Sequence, residues 1–196
     1  MTGPPTRPVR GERGWRDRAL PAVVALGLVA VLSATAPDLT VPPRQWVPLV
    51  VGQPGSLRDV ALRVTGVRQA TAVEVRGEPL TTTAVFVLVG VEASVLLAPV
   101  SFRRVGLETR SGDRYEPRSE WVTARPPQTQ PGFTVRGTWV FEVPAARLAG
   151  SRLLIENEPR EFDGYDRGLR VDLGIDTVAP ADGAIRLAEA STRVTR

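Results

Sequence analysis

Residues 133–143 read FTVRGTWVFEV, and the alternation in this stretch decides the fold. Phe133, Val135, Trp139, Phe141 and Val143 fall on one side of an extended chain, with Gly137 in the same row. Thr134, Arg136, Thr138 and Glu142 fall on the other. Side chains two apart share a strand face, so one face of this strand belongs in a core and the other outside it. Phe133 and Trp139 are accordingly expected among core residues. Gly137 in the inward row marks a place where another backbone comes close, and Pro144 ends the strand because it has no N–H for a ladder.

Working outward, the same period of two recurs. In RDVALRVTGV, Val60, Leu62 and Val64 face one way and Arg63 and Thr65 the other, with Gly66 suggesting a bulge. Residues 84–91, AVFVLVGV, are apolar on both sides and predict a central strand buried on both faces, or one crossing the middle of a sandwich. SFRRVGLETRSGDRYEP predicts a strand, a turn at Ser111-Gly112-Asp113 and a return through Tyr115. Prolines 117, 126, 127 and 131 make 116–132 a long loop, with room for a short edge strand near Trp121 and Val122. RLLIEN alternates at Leu153 and Ile155. LRVDLGI places Leu169, Val171, Leu173 and Ile175 on one face. AIRLAEA, near the end of the chain, suits a strand or a short helix. Seven or eight strands separated by proline- and glycine-rich turns predict an all-β chain folded as an antiparallel sandwich over residues 57–176, with 177–196 a final strand or tail.

The N-terminal third has another character. Residues 19–36, ALPAVVALGLVAVLSATA, hold eighteen positions without a charged side chain. As a helix they would span about 27 Å, close to the hydrocarbon thickness of a bilayer. Arg7, Arg10, Arg13, Arg16 and Arg18 precede the run, and only Arg44 follows it closely, which predicts a cytoplasmic N-terminus. Residues 1–18 then form a disordered basic tail, and residues 37–56, with five prolines, an extended linker. Trp15 and Trp46 suit the two membrane interfaces, and equally well a tail and a linker tryptophan without that role. Two readings rival the anchor. One is the buried helix of a soluble protein, against which the flanking arginines and the proline-rich exit speak. The stronger is a cleaved signal peptide ending at Ala34-Thr35-Ala36, against which Pro37 just after that cut speaks.

Composition excludes several chemistries. The chain has neither cysteine nor histidine, which removes disulfides, thiol catalysis, Ser-His-Asp triads and cysteine- or histidine-held zinc. A lipid attached through cysteine is excluded as well. Of 25 basic residues, all arginine, five lie before the apolar run, against two of the 21 acids; the remainder carries 25 − 5 = 20 basic and 21 − 2 = 19 acidic groups. The positive excess belongs to the N-terminal flank, so no basic domain is left to bind nucleic acid.

The order of these features resembles a family: the immunoglobulin-like extracellular domains of unknown function carried by lipoproteins and anchored envelope proteins of Gram-positive bacteria. The residues that carry the resemblance are Phe86 to Glu92, Gly112 to Tyr115, Pro131 with Gly132, and Gly137 with Phe141 to Pro144. It extends over about residues 57–176 and departs where Val95-Leu96-Leu97 replaces a polar segment. The resemblance implies an extracytoplasmic sandwich used as an interaction or spacer module, and it brings no catalytic residues. The arginine-only basic composition fits a high-GC genome.

Candidate sites are sparse. Glu156, Glu158, Glu161, Asp163 and Asp166 form the densest polar group, of the oxygen-donor kind that hard cations use. Their spacing does not match the helix–loop–helix calcium pattern, and a solvated connection between two strands accounts for them. Trp121, in the proline-rich loop, is the candidate surface aromatic for a sugar. Val95, Leu96 and Leu97 are the candidate partner contact. No phosphate-binding glycine loop is present. The expectation is a single-pass, membrane-anchored, extracytoplasmic and non-catalytic interaction module of the cell envelope, without a cofactor and with other envelope or membrane proteins as partners. The rivals are a carbohydrate- or cation-binding module, a carboxylate-based hydrolase, and a structural subunit of a membrane transport complex.

Overall fold

The alternation of residues 133–143 becomes a strand with those limits in the computed structural model, which describes residues 45–195 apart from 76, 103, 119–123 and 157–166. Eleven strands run through the described residues. They are β1 (Gln45–Val50), β2 (Pro54–Leu57), β3 (Val60–Val75), β4 (Glu78–Val95), β5 (Arg104–Glu108), β6 (Arg114–Tyr115), β7 (Phe133–Val143), β8 (Arg152–Glu156), β9 (Arg167–Asp172), β10 (Ala181–Arg186) and β11 (Ser191–Val194). One sheet has the order β1-β9-β8-β5-β6. The other has the order β10-β3-β4-β7-β11, with β2 also paired to β3.

The apolar faces of both sheets enclose one core. Val85, Val87, Val89 and Val91 of β4 and Val135, Trp139 and Phe141 of β7 meet Leu107, Leu153, Ile155 and Leu169 from the opposite sheet. Trp139 is 1% exposed, and Phe102 meets its ring edge-on at 5.7 Å and 70°. A buried aromatic of this size contributes roughly 3 kcal/mol by area alone. The expected roles of Gly137 and Gly66 hold. A β carbon on Gly137 would meet Pro126 N at 2.6 Å and Ala124 O at 2.8 Å, so the 124–126 backbone crosses closely there. The β3–β4 register shifts between Val64 and Gly66. Gly112, at φ 90°, turns β5 into β6.

Phe133 departs from its expected place and is 37% exposed. It is the first residue of β7, paired with Val194 of the outermost strand and beyond the last β4–β7 pair at Ser94–Thr134.

The second side of the AVFVLVGV strand is buried by the chain's own return. Ala70 pairs with Phe86 but Ala72 with Thr81, so four residues of β4 face the single Thr71. Beyond this slip the far half of the hairpin folds back. Val73 and Val75 join Phe86, Leu88 and Val140 in a second apolar cluster, which Ile185 and Leu187 complete.

One boundary differs from the sequence reading, and the open reading near the C-terminus resolves. The linker expected over 37–56 gives way at Gln45, because 45–50 and 54–57 are strands. Pro48 is tolerated since β1 is an edge strand with one unpaired side. Residues 181–186 are a strand and not a helix, and 191–194 are another. The interior pairings are antiparallel as expected, but β1 joins β9 and β10 joins β3 in parallel. The basic tail and the apolar run 19–36 lie outside the described residues. Among the described residues no helix is long and apolar enough to cross a membrane.

Candidate functional site

The outer face of the β3-β4-β7-β11 sheet brings together side chains from four strands. Glu92 on β4 stands opposite Arg63 on β3 and Arg136 on β7 in the ladder. Arg193 reaches the same carboxylate from β11. Arg136 Nε donates to Glu92 Oε2, while Arg63 Nη2 and Arg193 Nη2 each lie 3.4 Å from a carboxylate oxygen. The Arg136 hydrogen bond holds the Glu92 carboxyl below its ordinary pKa. Partial desolvation opposes that shift, and the charges of Arg136, Arg193 and Arg63 reinforce it. Three guanidiniums to one carboxylate leave two positive charges in excess.

Beside this cluster the sheet surface is indented. Gly66 and Gly90 pair directly across β3 and β4, and no side chain rises from either. A β carbon on Gly66 would meet nothing within 4 Å. The result is a groove of about 610 Å³ walled by Thr65, Arg68, Arg136 and Thr138 and, from the C-terminal chain, Glu189 and Ser191. A second hollow of about 550 Å³ lies along Ser94, Thr134, Arg193 and Thr195. Its floor is a hydroxyl row, with Ser94 Oγ 2.8 Å from Thr134 Oγ1 and Thr134 Oγ1 3.0 Å from Thr195 Oγ1. Guanidiniums beside hydroxyls and bare backbone suit an anionic or hydroxyl-rich ligand. A carboxylate held ionised by three cations is a poor proton donor.

The residues singled out from the sequence are scattered. Glu156 ends β8 and is 8% exposed. Arg114 Nη1 lies 2.8 Å from its Oε1. Arg114 crosses the strand between them over Gly106, where a β carbon would stand 2.5 Å from the arginine Nε. Glu158, Glu161, Asp163, Asp166 and Trp121 lie outside the described residues. Among the described residues no group of three or more acids is arranged to hold a metal ion. Val95 is buried at 2%, whereas Leu96 and Leu97 are 50% and 72% exposed. Trp46, read as an interfacial residue, packs on β9 with Arg170 over its ring, 5.1 Å from the centroid. The Glu92 cluster was missed although Arg63 and Arg136 were both placed on outward faces. The signal that would have found it is strand order, which brings β3, β4, β7 and β11 side by side.

No protein-family model matches the sequence, and no curated protein matches it. Among solved structures, the chain is similar to the yjhA protein from Bacillus subtilis, at 12% identity and a TM-score of 0.47, covering 63% of this chain and 99% of that one. It is also similar to an uncharacterized beta-sandwich protein from Clostridium difficile 630, at 9% identity and a TM-score of 0.43, covering 66% and 97%. A third, ycdA from Bacillus subtilis subsp. subtilis str. 168, is provisionally described as a lipoprotein; it is 11% identical with a TM-score of 0.43, covering 61% of this chain and 38% of that one.

Proposed function

We propose that the chain is a single-pass membrane protein whose immunoglobulin-like β-sandwich works outside the cytoplasm as a non-catalytic binding module of a Gram-positive cell envelope. The apolar run 19–36 with its arginine flank supports the anchor and its orientation. The observation that carries the binding role is the arginine-framed outer face of the β3-β4-β7-β11 sheet. There three guanidiniums share Glu92 beside a glycine-floored groove.

The natural chain has no cysteine, so one introduced at exposed Ala146 reports location without interference. A membrane-impermeant maleimide applied to intact cells labels A146C if the sandwich lies outside. Labelling only after permeabilisation overturns the orientation. For the binding role, Arg136→Glu abolishes crosslinking to envelope components while the fold is kept. Unchanged crosslinking by that variant overturns the assignment of this face.

A further inference from the structure

Four exposed apolar side chains gather at one end of the sandwich. Leu96 is 50% exposed, Leu97 72%, Val194 66% and Phe133 37%. They are neighbours through the backbone. Gly132 N donates to Val95 O at 3.1 Å, Leu96 N donates to Asp59 O at 2.8 Å, and Phe133 pairs with Val194. This is the end at which β4 hands over to β5 through residues 96–103. In the opposite sheet it corresponds to the row formed by Arg104, Glu156, Gly168 and Trp46. The two sheets are aligned there by Gly55, two positions above the end of β2, which packs against Leu49 and Leu169. Gln45, the first residue of β1, therefore lies at the same end as the leucines.

That coincidence identifies an occupant. The 44 residues before Gln45 contain the uncharged stretch 19–36, and only residues 37–44 intervene. Eight residues reach at most about 28 Å when fully extended. We propose that this end rests on the surface of the bilayer that holds the chain, with Leu96 and Leu97 inserted into its interfacial region. The inference rests on the anchored reading above. A tether that short keeps the patch at a high effective concentration beside the lipid, so two leucines suffice where an untethered domain would need more. Charge does not select the lipid. Exposed Arg58, Arg104 and Arg167 lie at this end, but so do Asp59 and Glu156. Insertion is apolar and is expected in neutral and anionic bilayers alike.

The test uses the full chain in vesicles of phosphatidylcholine, with and without phosphatidylglycerol. Single cysteines at Leu97 (L97C) and at Ala146 (A146C), beyond the far end of β7, carry a nitrobenzoxadiazole dye. Flotation after alkaline extraction reports the anchor independently. The expected result is a blue-shifted emission from L97C that doxyl-labelled lipids quench in both compositions, with A146C remaining water-like. A floating chain whose L97C dye stays water-like overturns this inference and leaves the anchor standing. A blue shift without lipid quenching means that protein covers the patch, which also overturns it. A chain that fails to float overturns the anchored reading, and the inference falls with it. If L97C does not fold, Leu96→Cys takes its place with the same outcomes.

Discussion

The indole of Trp46 lies across Gly168, so that a β carbon on the glycine would stand 2.5 Å from the ring's Cζ3. The two residues pair across β1 and β9, and Arg170 covers the same ring, its guanidinium carbon 5.1 Å from the centroid. A glycine beneath an aromatic lets a ring cross the neighbouring strand, and here it fastens the edge strand through which the chain enters the sandwich.

Trp46→Ala should therefore loosen β1 in particular, costing about 1–3 kcal/mol of local stability. Native-state hydrogen exchange reads this as faster exchange in β1 than at Leu153 in the middle of the same sheet. Unchanged protection in β1 would show that the ring is not its fastening.

Two glycines predict opposite signs. Gly137→Ala drives a methyl into the Ala124–Pro126 backbone and should cost about 1–3 kcal/mol, lowering Tm by about 2–4 °C per kcal/mol. Gly66→Ala meets nothing within 4 Å and relieves the entropic cost of glycine in a strand, so it should leave Tm unchanged or raise it. Thermal unfolding of the two variants side by side decides the matter, and a neutral Gly137→Ala would refute the close approach.

Glu92 carries a pH signature. Its carboxyl titrates below the ordinary 4.5 in the folded chain, chiefly through the Arg136 hydrogen bond. The stability it contributes is therefore present above the unfolded value and lost as pH falls through the folded one. Glu92→Gln should cost about 1 kcal/mol at pH 7, and the gap between variant and natural chain should close in acid. Denaturant melts at several pH values measure the gap, and one that does not narrow as the pH falls below the unfolded value contradicts the account.

Arg114 and Glu156 are coupled in a different setting, since the carboxylate is 5% exposed in its side chain and the arginine 44%. Arg114→Met removes the partner of a buried charge and should cost about 1–3 kcal/mol, reduced from a fully buried pair because water still reaches the arginine. Adding Glu156→Gln to that variant should restore part of the loss. A double-mutant cycle with no coupling would mean that the two side chains act independently.

Legibility followed burial. The β7 alternation, the apolar β4 and the Gly112 turn could be read because one buried face imposes a period of two on the residues that line it. β2, β6, β10 and β11 were not readable as strands with the same security, since edge strands need little apolar patterning and β11 is exposed throughout. Residues 71–83 were missed for another reason. That hairpin arm folds back on its own sheet, and its apolar residues Val73 and Val75 serve a second, smaller core. The Glu92 site was half legible, with outward arginines on two strands but no means of knowing that those strands are neighbours.

What the residues determined by themselves was local: a strand-forming chain after an apolar run, a core of alternating Val, Leu, Trp and Phe, and the exclusion of histidine and cysteine chemistry. Only the tertiary structure decided which strands lie side by side, that β1 and β10 join in parallel, that Arg63, Arg136 and Arg193 converge on Glu92, and that Leu96 and Leu97 share an end with Gln45. Periodicity depends on each residue's immediate neighbours in the chain. Strand order depends on pairings between residues as far apart as Gln45 and Arg167, which no local pattern encodes.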